Sequence, residues 1–446
     1  MSKPFKALAA HPRVTALVAV LFAAAVLVGG LLYLESQQSE LQVGPGAVSE
    51  PEPEPAEPKP SSFVWPTFGY TRARTHNLES DLAPPFRNIW KMRPTGELLE
   101  FPPSLARGRL YVVENEGRVI AISARTGKKL WTRDLGRLAA STPAYDDGRL
   151  YVTILCRDAC ADAVGSAQSE GKGRVAALDA RTGRVIWKRD LPSRTESTPL
   201  VVRDRVYFGS ENGTVYALRK GSGSVDWTYK ASDAVKSGLA YENGRLFFGD
   251  YAGSVSALRA RDGKLAWTRT NVSPENFYGT PAIGFNRIYL STTDGKVHAL
   301  RLNGNVDWRF SAGPGGFIYA SPALGKPPGL GPTVYIGAQD SRFYALDARS
   351  GRERWSKRAA GKISGTATIL GDHVYYSSLA ARMTYGVRAR DGKEVFSRRQ
   401  GAFNPAIADE KRVYLIGYST ITALEPKPAR KESKRRKSAE RSERNR

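Results

Sequence analysis

Two cysteines, four histidines and three methionines are all the soft metal ligands that this chain of 446 residues carries. That scarcity excludes a haem-attachment CxxCH, a dense disulfide scaffold and a His/Cys metal centre. There is no G-x-S-x-G nucleophile elbow and no H-E-x-x-H zinc motif, and the histidines (His11, His76, His298, His373) are scattered. His298 falls within an alternating strand pattern and reads as a packed residue, not a base. No catalytic constellation and no cofactor is therefore expected, and the reading is of a protein that is not an enzyme. What the chain has in quantity is glycine (43), proline (27) and positive charge, with 67 Lys+Arg against 43 Asp+Glu for a net +24.

Long uncharged apolar runs are absent with one exception, residues 14–34 (VTALVAVLFAAAVLVGGLLYL). As a helix this run would cross a hydrocarbon core of about 30 Å. Lys3, Lys6 and Arg13 precede it and Glu35 and Glu40 follow, so the positive-inside bias predicts a cytoplasmic N-terminus (residues 1–13), a single transmembrane helix over 14–34 in the cytoplasmic membrane, and an extracytoplasmic remainder. A cleaved signal peptide is the competing reading, with Ala23-Ala24-Ala25 as its small residues, but the apolar region exceeds the roughly 7–15 residues usual there. A lipoprotein does not fit, because no cysteine follows the run. Residues 35–62 form a Pro/Glu-rich linker in which 44–60 alternate proline with glutamate and read as an extended, self-repelling spacer. The basic tail, residues 428–446, has too few apolar residues to fold.

Between these segments one period dominates. Trp90, Trp131, Trp187, Trp227, Trp267, Trp308 and Trp355, followed by Phe396 in the same context, recur at spacings of 41, 56, 40, 40, 41, 47 and 41 residues. Within each unit, short β-branched and aromatic runs alternate with Gly, Asn and Asp turns, the pattern of successive tight hairpins. Each unit is therefore four antiparallel strands, here called A to D, with the aromatic on D. A four-stranded sheet repeated about every 40 residues is a propeller blade. The fold class is all-β: an eight-bladed β-propeller over residues 63–427. Eight A strands start near Pro103, Pro143, Pro199, Gly238, Pro281, Pro322, Ala367 and Pro405, but the last unit runs out before its D strand, and the first D strand, around Trp90, has no A to C before it. The N-terminal strand is expected to complete the last blade and close the ring. One aromatic per blade at a fixed place reads as inter-blade packing, because such side chains dominate buried contacts.

The units YALDARSGRERW (344–355), AALDARTGRVIW (176–187) and ISARTGKKLW (122–131) resemble the PQQ-like β-propeller repeats. That resemblance covers residues 90–425 and implies either a quinoprotein dehydrogenase or a non-catalytic extracytoplasmic propeller similar to BamB. The dehydrogenases of this type have an adjacent Cys-Cys pair and a Ca²⁺ site, whereas here Cys156 and Cys160 are separated by three residues within a long insertion. A disulfide clipping that loop is expected in an exported domain, with a free pair or a metal site as alternatives.

Most of the positive charge belongs to the folded middle. Strand alternation puts the A-to-B and C-to-D turns on one face, and Arg125, Arg181, Arg219, Arg259, Arg261, Arg301, Arg349 and Arg390 fall there. That face is a candidate docking site for an anionic partner, against the plainer alternative of solvated turns copied with the repeat. Nucleic acid is not expected, since no recognition motif is present. The functional expectation is a membrane-anchored extracytoplasmic scaffold that binds a protein or an anionic envelope polymer, the alternatives being a PQQ-dependent dehydrogenase or a small-ligand-binding propeller.

Overall fold

The computed structural model describes residues 62–157 and 172–428. The expected membrane span, most of the Pro/Glu linker, Cys160 and the tail from residue 429 lie outside them. Every regular element among the described residues is a β-strand. Blade 1 runs Ser104–Ala106 (A), Arg109–Val113 (B), Arg118–Ser123 (C) and Lys129–Asp134 (D), and the next six blades repeat that order. Blade 8 takes A, B and C from Ala406–Ala408, Val413–Ile416 and Ile421–Pro426, and its D strand is Phe86–Met92. Trp90 pairs with Ala423 in that last sheet, so the ring closes through the N-terminal strand as the phase mismatch predicts.

Each C–D pair contains a register shift next to the residue opposite the aromatic, for instance between Ala217 and Leu218 opposite Trp227. Such a bulge sharpens the local twist and re-aims the aromatic out of its own sheet. The tryptophan then reaches the following blade. All seven repeat tryptophans donate Nε1–H to a main-chain carbonyl just after strand C of the next blade, at 3.0–3.2 Å. A tyrosine from strand B often doubles the latch, as where Tyr207, Tyr289 and Tyr335 donate to the same carbonyls (Ala260, Ala348, Ala389) at 2.9 Å. The eighth position breaks the pattern for a physical reason. Blade 8 has no C-to-D turn, because its D strand comes from the other end of the chain. Phe396 replaces tryptophan there and packs edge-on against Phe86 at 5.6 Å, and the buried hydroxyl of Tyr375 finds no partner.

Around the axis the blades are joined a second time. At the head of successive A strands a main-chain N–H donates to the side-chain oxygen of the next blade: Gly238 to Thr280 (3.0 Å), Thr280 to Ser321 (2.9 Å), Ser321 to Thr366 (2.8 Å) and Thr366 to Asn404 (3.2 Å). The Asn404 amide passes the chain on to the Glu100 carbonyl, and Thr142 donates to the Pro102 carbonyl. This belt breaks between blades 3 and 4, where Gly238 has no side chain to offer.

Residues 64–78 fill that gap and more. Val64–Trp65 pairs antiparallel with the A strand of blade 1, and Asn77–Leu78 pairs in parallel with that of blade 7. In between the segment winds through the axis, its carbonyls taking N–H groups from Tyr145, Tyr241, Ile283, Leu324 and Ile369, the central A-strand residues of blades 2, 4, 5, 6 and 7. Those amides face the axis and would otherwise be unpaired edges. Tyr70, Arg74 and His76 adopt positive φ (66°, 60° and 56°), uncommon for residues with a side chain. The buried guanidinium of Arg74 pins the turn. It donates to the carbonyls of Leu239 (2.9 Å), Pro199 (3.3 Å) and Phe68 (2.7 Å) and to Thr67 Oγ1 (2.6 Å), so it spans the gap beside Gly238. Burial draws Arg74 down to about 9, still cationic at neutral pH, and burial beside Arg74 holds His76 at about 3, uncharged.

Candidate functional site

The axis is thus closed by residues 64–78 on the side of the A-to-B turns. On the opposite side it opens into a cavity of about 440 Å³, with Phe68 among its walls and the D-to-A connections around it. Across its lining runs one ionic cluster. Lys236, just before strand A of blade 4, lies 3.1 Å from Glu196 and 3.1 Å from Glu211, and its ammonium sits 5.4 Å from the Tyr251 ring centre. Burial raises the Glu196 carboxyl above its ordinary range; Lys236 opposes the rise, and a proton-sharing contact with Glu211 adds to it. For Lys236 burial alone would lower the ammonium, but the two carboxylates reverse the sign and hold it charged. Burial also raises Glu100. Tyr278 and Tyr319 meet at right angles with ring centres 5.5 Å apart, and Tyr319 and Phe317 stand exposed at the rim. Nothing in the repeat period singles these residues out, since Glu196, Lys236, Tyr278 and Tyr319 sit in D-to-A connections whose length varies from blade to blade.

The arginines proposed from the sequence lie on the other face. Five of them are held by their own turns: Arg219 by Asp204 and Asp226, Arg259 and Arg261 by Asp262, Arg301 by Asp307, and Arg390 by Asp391. Arg125, Arg181 and Arg349 are exposed and carry no ion pair among the described residues. Part of the repeated arginine signal is architectural. Arg109, Arg149 and Arg412, each beside an A-to-B turn, donate to the main-chain carbonyls of Arg181 (2.7 Å), Lys220 (3.4 Å) and Ala124 (2.8 Å) in the next blade. His298 is buried, donates to or accepts from Thr292 at 3.1 Å, and is drawn down to about 4 by burial.

Cys156 is buried at the foot of the insertion, where it bridges to Leu138, and it is disulfide-bonded. Thiol labelling of the native protein is expected to be negligible until a reductant is added. Stoichiometric labelling without reductant would remove the loop clip.

These features define an eight-bladed propeller of PQQ-like repeats with an axial cavity at one end. The chain belongs to the family described as outer membrane protein assembly factor BamB, whose model matches residues 86–165, 163–236 and 231–432. It is 29% identical over 167 residues to a 1-butanol dehydrogenase (cytochrome c) of Thauera butanivorans, covering 33% of this chain and 22% of that one. It is 25% identical over 116 residues to the outer membrane protein assembly factor BamB of Yersinia pestis, covering 26% of this chain and 28% of that one. The matched regions thus span under a third of either relative. Among solved structures, BamB from Moraxella catarrhalis aligns with a TM-score of 0.61 at 17% identity, over 76% of this chain and all of that one. That likeness concerns the fold.

The dehydrogenase side of the resemblance implies a quinone bearing three carboxylates and a divalent metal, and the residues present do not fit them. The cavity offers one cation, Lys236, which Glu196 and Glu211 already neutralise. The buried Arg74 spends its donors on carbonyls and Thr67. No group of three or more His, Cys, Asp or Glu placed to hold a metal occurs among the described residues.

Proposed function

We propose that this protein is a membrane-anchored extracytoplasmic binding scaffold that holds a protein partner of the cell envelope on the face carrying the axial cavity. The observation that carries the reading is a set of exposed aromatics on that face: Phe317 and Tyr319 in the D-to-A connection before blade 6 and Tyr418 in the B-to-C turn of blade 8, exposed at 51%, 37% and 40%. Aromatic anchors of this kind dominate protein interfaces. Similarity to a protein named an outer-membrane assembly factor supports a protein partner, and the mismatch of the cavity with a tricarboxylate quinone weighs against the dehydrogenase reading.

The test is site-specific photo-cross-linking of the full chain in its native membrane. A probe at Phe317 or Tyr418 is expected to give a discrete protein adduct, lost when Phe317→Asp is introduced with the probe at Tyr418. Probes at Arg181 and Arg349 are expected to give no such band. Adducts confined to the arginine positions would reverse the assignment of the docking face.

A further inference from the structure

We propose that the axial cavity binds a neutral saccharide of one or two rings, seated in the corner formed by Tyr278 and Tyr319. This goes beyond the docking reading, which concerns the exposed rim. Three properties of the cavity select the ligand. Its volume of about 440 Å³ lies within the roughly 300–1,000 Å³ of small-molecule sites. Its one cation, Lys236, is shared by Glu196 and Glu211 at 3.1 Å each, so an anionic ligand finds no free counter-charge. Its walls mix aromatic faces with hydrogen-bonding groups, the Ser237 hydroxyl among them without a partner.

Ser237, 4% exposed, lines the cavity and its Oγ has no partner. Glu100 lines it too, its carboxyl raised by burial and hydrogen-bonded to Asn115, with acceptor capacity left over. A purely apolar ligand would leave the Ser237 hydroxyl desolvated and unpaired. A pyranose answers both demands: its C–H face packs on an aromatic ring while its hydroxyls donate to a carboxylate and exchange hydrogen bonds with a serine. The Tyr278 and Tyr319 rings, at 90° and 5.5 Å, offer one face to stack on and one edge to close the corner.

Saturation-transfer NMR on the full chain, in a detergent without a sugar headgroup, tests this. The probes are glucose, N-acetylglucosamine, maltose and chitobiose, with glucuronate and pyrroloquinoline quinone as anionic controls. At least one neutral sugar is expected to receive saturation, strongest at its ring C–H protons, and to bind more tightly than either anion. Tyr319→Ala, at a partly exposed rim position, is expected to weaken binding about tenfold or more, and Ser237→Ala to weaken it several-fold. Arg181→Ser, on the opposite face, is expected to leave binding unchanged. No transfer to any neutral probe, tighter binding of the anions, or undiminished binding in both cavity variants would overturn the proposal. Cross-linking from Phe317 that persists while every sugar fails would leave the docking reading standing without it.

Discussion

Arg74→Met is expected to lower the unfolding free energy of the propeller by about 2–4 kcal/mol, the cost of the buried acceptors it leaves unpaired less the relief of no longer burying a cation. Two effects oppose each other. The substitution relieves the cost of burying a cation with no carboxylate beside it, a cost visible in the guanidinium being drawn down to about 9. Against that, it leaves the buried carbonyls of Phe68 and Leu239 without this donor, while Thr67 and Pro199 keep their bond to each other at 3.2 Å. Each orphaned acceptor costs about 1–3 kcal/mol, and the two together outweigh the relief. The loss also spreads, because Arg74 holds a positive-φ turn in a segment that pairs with the inner strands of six blades. Hydrogen exchange should report this separately from global unfolding. The amides of Tyr145, Tyr241, Ile283, Leu324 and Ile369, which donate to the segment, are expected to lose protection together. A change under 1 kcal/mol with unaltered protection would mean that the segment rests in the axis without holding the ring.

The ring itself was legible because its determinants recur. Tryptophan at a fixed step, a small residue opposite it and a turn glycine after strand C in the next blade are local needs of each latched seam, so seven copies repeat them with little change. Even the exception was readable in part: Phe396, in blade 7, faces the one blade whose C-to-D turn is missing. The axial plug was not legible, because residues 64–78 occur once and have no second copy against which a pattern could show. Its key residue, Arg74, is a cation in a polar stretch, and only the absence of a side chain at Gly238, more than 160 residues away, gives it a place to bond. The cavity escaped for a related reason. Glu196, Lys236 and Tyr278 come from three different connections and meet only because the ring converges on its axis. The repeated arginines are legible as a set of turns on one face, but not how each is engaged: five of the eight pair with nearby aspartates, while Arg125, Arg181 and Arg349 carry no ion pair among the described residues. A count of charges does not distinguish a guanidinium that is free from one that is already bonded.

The tightness of the seams can be measured by comparing one substitution at two glycines with the same backbone. Gly244, in the A-to-B turn of blade 4, has φ +79° and nothing within 4 Å of where a Cβ would stand. Gly351, in the C-to-D turn of blade 6, has φ +73°, but a Cβ there would lie 2.5 Å from Cε3 and 2.7 Å from Cδ2 of Trp308 in blade 5. Both alanine variants carry the left-handed backbone cost, roughly 1–2 kcal/mol. Only Gly351→Ala also drives a methyl group into an aromatic ring, and overpacking of this kind adds about 1–3 kcal/mol. The ring cannot simply swing away, because Trp308 is buried and its Nε1 donates to the Ala348 carbonyl at 3.1 Å, three residues from the glycine. Gly244→Ala is therefore expected to cost about 1–2 kcal/mol in denaturant unfolding and Gly351→Ala about 2–5, with a changed Trp308 indole N–H resonance in the second variant alone. The same glycine lies against the preceding tryptophan at the other six latched seams, so the result bears on all of them. An equal loss in the two variants would mean that the seams yield around a methyl group, and that glycine is held at these turns by the backbone conformation alone.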